Sequence, residues 1–96
     1  MVVEYLTFAV EPAERDAWLR IEERHWSRFL ERQDGFVRKE IWQSVDDDST
    51  VHAVIWWESL EQWKAIPQAE LDAVIEAMGE HERVPAMRTF NVLRES

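Results

Sequence analysis

The sequence contains no cysteine. A disulfide framework and a thiolate metal site are excluded, and nothing points to an oxidising compartment. Only two glycines occur, so no Gly-rich phosphate loop can be built. No apolar run approaches the roughly 20 residues needed to span a bilayer. The N-terminus lacks the basic start and apolar stretch of a signal peptide, so the expected location is the cytoplasm. Basic residues are scarce: 11 Lys and Arg stand against 20 Asp and Glu, a net charge of −9. Phosphate backbones are bound mainly by Lys and Arg, so nucleic acid is not an expected partner. The same charge argues against anionic membrane surfaces.

Tryptophan is abundant instead, with six in 96 residues. Each brings a large apolar area and one N–H that needs a partner. Six of them point to an aromatic-lined cavity, a subunit interface, or both. The length fits one domain, residues 1–96, with a small core. Domains of that size often gain burial by oligomerising.

Residues 2–10, VVEYLTFAV, read as a strand rich in β-branched and aromatic residues. One face carries Val2, Glu4, Leu6, Phe8 and Val10; the other carries Val3, Tyr5, Thr7 and Ala9. Pro12 suits the first helical position, and Asp34-Gly35 stops the helix that follows, at about Gln33. Trp18, Ile21, Glu22, His25, Trp26, Phe29 and Gln33 share a broad stripe of it. Residues 36–45 and 51–58 read as strands joined by an Asp-rich hairpin loop. Ser59 and Gln62 form a capping-box signal for a short helix that Pro67 ends. A second long helix is predicted over 68–83, and a last strand over 86–94. The order β-α-β-β-α-β is the ferredoxin-like α+β pattern. It predicts a four-stranded antiparallel sheet with helices on one face. The opposite face is too apolar to leave wet, and a second copy of the chain would cover it.

The stretches FAVEPAERDAWL, GFVRKEIW and IWWESLEQWKAI resemble the dimeric α/β-barrel superfamily. That group includes antibiotic-biosynthesis-type and haem-degrading monooxygenases. VVEYLTF, DGFVRKEIW and EQWKAIPQ look like a small bacterial family of this fold with no assigned function. The resemblance covers nearly the whole chain. It implies a homodimer whose sheets pack face to face, with a pocket in each subunit between sheet and helices. In haem-degrading and quinone-forming relatives an Asn on the first strand and a Trp after the third line that pocket. Haem degraders add a His on the next helix. Trp63 fits the Trp position, Leu6 stands at the Asn position, and Ala73 falls where the His would be. The fold implies no fixed cofactor, and none is expected here.

Glu4 shares the Leu6 and Phe8 face. A carboxylate sent inward must be paired or neutral. It is a pocket acid or base with a raised pKa, a strand-end residue that reaches solvent, or a structural partner for Lys39 or an arginine. Glu22 and His25 have the Glu-x-x-His spacing that puts two side chains on one helix face. They are candidates for a polar cluster with Glu4 that moves protons. A metal would need a third ligand such as Glu4, His52 or His81, and no metal site is expected. Trp18, Trp26 and Trp63 are candidate cavity walls, with Leu6, Trp26, Trp63 and His81 the candidate ligand contacts. Trp56 and Trp57 are adjacent on a strand and should point to opposite faces. Two readings of function stand. One is a monooxygenase-like enzyme acting on a small hydrophobic or aromatic molecule. The other is a binding or purely structural dimer. Ser27, Ser44, Ser49 and Ser59 have no nucleophile-elbow context.

Overall fold

A computed structural model describes residues 1–96. Strand β1 (Val2–Ala9) is followed by helix α1 (Pro12–Glu22), a π-helical turn (Glu23–Ser27) and a last helical turn, α2 (Arg28–Leu30). Strands β2 (Phe36–Ser44) and β3 (Asp47–Trp57) form a hairpin. Helices α3 (Leu60–Lys64) and α4 (Gln68–Met78), a 3-10 turn (Gly79–His81) and β4 (Ala86–Asn91) complete the chain. The strands form one antiparallel sheet in the order β2-β3-β1-β4, with helices on one face. No helix is long and apolar enough to cross a membrane.

Several boundaries differ from the sequence reading, among them the last strand, which ends at Asn91 rather than at residue 94. The Asp-rich hairpin is not a loop. Ser44 pairs with Asp47, and β3 runs on through the acidic stretch. The Asp47 carboxylate accepts from the Ser49 N–H and hydroxyl and from Thr50, which ties down the tip. The long helix ends at Leu30 rather than Gln33, after one wide turn. The helix expected over 68–83 ends at Met78, where Gly79 takes a positive φ of 56°.

Two apolar clusters pack on the helix-bearing face. One joins Val2, Phe29, Leu30, Ile55, Trp57, Trp63 and Val74. The other joins Phe8, Val10, Trp18, Val51 and Ala53. Leu6 touches both. Strand alternation sends Tyr5, Trp42, His52, Trp56 and Phe90 to the opposite face. There Tyr5 meets Trp42, His52 and Phe90 at ring distances of 5.4–6.3 Å.

Gly35 closes the turn between α2 and β2 with φ 85°, and its carbonyl accepts from the Glu58 N–H at 2.7 Å. A Cβ there would lie 2.7 Å from the Gln62 Cβ. Gly35→Ala therefore combines backbone strain with a clash. It should lower stability by more than about 1 kcal/mol in a urea melt. A wild-type midpoint would contradict this account of the turn.

Candidate functional site

Between the sheet and the helices lies a cavity of about 410 Å³. Ligand pockets span roughly 300–1,000 Å³ and are mostly apolar with few polar groups. This one has that character. Leu6, Phe8, Ala53, Ile55, Trp63 and Leu71 supply apolar wall, and its charged groups are Glu4, Glu22, Lys39, Glu82 and Arg83.

Sheet register sets the floor. Ile55 of β3 is paired with Glu4 on one side and Lys39 on the other. Glu4, Ile55 and Lys39 therefore form one transverse row facing the helices, and all three line the cavity. Trp57 Nε1–H donates to one Glu4 oxygen at 3.2 Å. The other oxygen has no hydrogen-bond donor and is not sealed off from solvent. Burial pushes the Glu4 carboxyl above the ordinary carboxylate value. The Trp57 N–H and the charges of Lys39 and Lys64 pull part of the way back.

Glu22 is the one buried charged residue, 3% exposed. It accepts from Lys39 Nζ and from the Ser27 hydroxyl. Lys39 is nearly as enclosed as its partner. The π turn makes this arrangement. Arg28 N–H donates to the Glu23 carbonyl five residues back, which widens the turn. Trp26 then follows Glu22 into the cavity, and Leu30 follows Trp26. Trp26 Nε1–H donates to Glu82 at 3.1 Å, closing that wall.

The same turn separates Glu22 from His25. Sequence spacing puts them side by side, but the extra residue rotates His25 onto a second hollow with Arg24, Phe29 and Glu70. Ala73, at the position of the haem degraders' His, lines that hollow too, not the cavity. His81 also misses the cavity, because the helix that would have carried it stops at Met78. Its carbonyl accepts from Trp18 Nε1 at 3.0 Å, and its ring lies near Glu80. Glu4, Leu6, Glu22, Trp26 and Trp63 do come together. Trp63 stacks on Trp57 at an interplanar angle of 10°. No three of the Asp, Glu and His side chains converge as a metal site would require.

Sequence reasoning missed the full role of Lys39, which it offered only as a partner for Glu4. It missed Glu82 and Arg83 altogether, because they fell at the end of the overlong helix. Arg83 lines the cavity and donates to Glu14 at 3.1 Å.

A four-stranded ferredoxin-like sheet, roofed by helices over an apolar cavity, defines the class. Within it, the model of the antibiotic biosynthesis monooxygenase family matches residues 1–93, and the chain belongs to that family. No curated protein matches it in sequence. Among solved structures it is similar to SnoaB, a cofactor-independent oxygenase from Streptomyces nogalater, with 19% identity and a TM-score of 0.73 over 98% of this chain and 94% of that one. The ActVA-Orf6 monooxygenase of Streptomyces coelicolor, solved with nanaomycin D, is 18% identical with a TM-score of 0.73, covering 99% and 92%. The haem degrader MhuD of Mycobacterium tuberculosis is 22% identical with a TM-score of 0.64, covering 100% and 99%. At these identities the likeness concerns the fold.

Proposed function

We propose that residues 1–96 form one barrel-forming domain of a homodimer, and that each subunit oxygenates a small aromatic molecule in its sheet–helix cavity without a cofactor. The observation that carries this is Glu4, a desolvated carboxyl with one free oxygen facing an otherwise apolar cavity. Without flavin or metal, the organic substrate must itself supply electrons to O2. Proton loss from an acidic C–H or O–H makes it electron-rich enough to do so. For a methylene flanked by aromatic rings, the balanced change is CH2 plus O2 to C=O plus H2O. Glu4 takes the proton, and burial makes it a stronger base than an exposed carboxylate. Trp26 and Trp63, both on the cavity wall, flank the ring system, and the likeness to SnoaB, a cofactor-independent oxygenase, supports the cofactor-free reading.

The homodimer reading is supported by the helix-free face. Trp42 and Phe90 there are 43% and 40% exposed, and Arg38 lies 3.9 Å over Trp56. Aromatic residues and arginine are the side chains enriched at interfaces.

The test has two parts. Native mass spectrometry of the purified protein should give a dimer mass. An oxygen electrode with a panel of anthrones, hydroquinones and polycyclic phenols should then show uptake matched to product. A monomer, or a panel with neither uptake nor binding, would sink the proposal.

A further inference from the structure

The floor of the cavity carries an arrangement that a merely apolar pocket would not need. Lys39 and Glu22 are both almost fully enclosed. Taking two charges out of water costs several kcal/mol per ion, which mutual attraction offsets only with good geometry. Here Glu22 also holds the Ser27 hydroxyl, so the pair is locked. An ammonium has three N–H donors. Glu22 is the only side chain that takes one. Glu4 stands in the same row on the far side of Ile55, about 10 Å away across two strand spacings. Glu4 and Lys39 thus flank a gap over Ile55. One offers an unpartnered oxygen and the other offers unpartnered N–H groups.

We infer that this gap is the subsite for an ionisable hydroxyl on a neutral aromatic ligand, with Glu4 accepting its proton and Lys39 holding the oxyanion left behind. The inference rests on the proposed function and names its substrate class. Charge balance supports it. With the Lys39–Glu22 pair neutral, ionised Glu4 leaves one negative charge on the floor. Proton transfer from a neutral ligand only moves that charge from Glu4 to the ligand oxygen, nearer the ammonium. A ligand that arrives as a carboxylate would add another negative charge to those of Glu4 and Glu82 in a poorly solvated space, where Arg83 is already paired with Glu14. The cavity therefore selects hydroxyaromatics and rejects aromatic acids of the same size.

The test compares naphthol, its methyl ether and naphthoate by isothermal titration calorimetry, on wild type and on Glu22→Leu/Lys39→Met. The double variant replaces the whole pair with apolar side chains, a change that buried pairs tolerate. On wild type, naphthol should bind at least about tenfold tighter than either analogue, about 1.4 kcal/mol. On the double variant its lead over the ether should shrink severalfold. A carbon-13 carboxyl titration, with Glu4→Gln to assign the signal, should show Glu4 titrating higher in the double variant. An unmoved Glu4, or naphthoate binding as well as naphthol, overturns the subsite. The stated preference without oxygen uptake from any hydroxyaromatic sinks the oxygenase reading and leaves the subsite. Uptake without the preference does the reverse. Failure of naphthol to bind overturns the subsite, and the oxygen-electrode panel then decides the oxygenase reading by itself.

Discussion

Lys39→Met alone should destabilise the protein by about 3–5 kcal/mol, and adding Glu22→Leu should restore most of the loss. The single change leaves Glu22 buried and charged with only the Ser27 hydroxyl for company. Its desolvation cost then stands without the attraction that offset it. The double change removes cost and attraction together. At this chain length each kcal/mol shifts Tm by roughly 4–8 °C, so the contrast is plain in a thermal melt. Melts should be compared at one protein concentration, because association would make Tm depend on it. If the single variant melts with wild type, the pair is not enclosed as described. If the double variant is as unstable as the single, the packing of the aliphatic stems matters more than the charges.

The fold was legible because its signals agreed with one another. Alternation in β1, the proline at the first helical position, the Ser59 cap and the stop at Gly35 each pointed to the same topology. Ser59 Oγ does accept the Gln62 N–H, at 3.1 Å. Trp56 and Trp57 do face opposite sides of the sheet, with Trp57 wholly buried and Trp56 under Arg38. The tip of the hairpin was less legible. Aspartates favour turns on propensity, but here Asp47 stays in the ladder and uses its carboxylate to bind the next residues.

The site was legible only in part, and the reason is local. Glu4, Leu6 and Trp63 follow from parity on a strand and from the start of a short helix. Glu22, His25 and Trp26 depend on how many residues make one turn. A 3.6-residue period places Glu22 and His25 on one face. The π turn adds one residue, keeps Glu22 with Trp26 and sends His25 elsewhere. No residue in Glu23–Ser27 is a glycine or proline that would have marked the irregularity. The buried Lys39–Glu22 pair supplies a physical reason for it. The wide turn brings Ser27 round to the same carboxylate that Lys39 holds. Lys39 itself was hidden by β2, where a register shift between Phe36 and Arg38 breaks simple alternation.

Glu4→Gln should abolish turnover and at the same time make the protein more stable near neutral pH. A positioned base contributes roughly 10²–10⁴-fold, so oxygen uptake should fall at least about 100-fold. The glutamine amide oxygen can still accept from Trp57 Nε1, so the local packing survives. The stability effect follows from linkage. Burial raises the folded-state pKa of Glu4 above its ordinary value of 4.5. Below that value both folded and unfolded chains carry the carboxyl protonated, and its ionisation costs the fold nothing. Between 4.5 and the raised pKa the unfolded chain ionises in water while the fold still keeps the proton to avoid a desolvated charge. Stability is lost over that window, and glutamine does not lose it. The two proteins should therefore melt together in acid and diverge upward in pH, with the variant higher. The acid limb of the wild-type kcat/KM profile should lie above 4.5, over the same pH window as the divergence in Tm. If turnover persists within a few-fold in Glu4→Gln, another group takes the proton. If the variant is less stable at neutral pH, the carboxylate is a structural partner rather than a strained base.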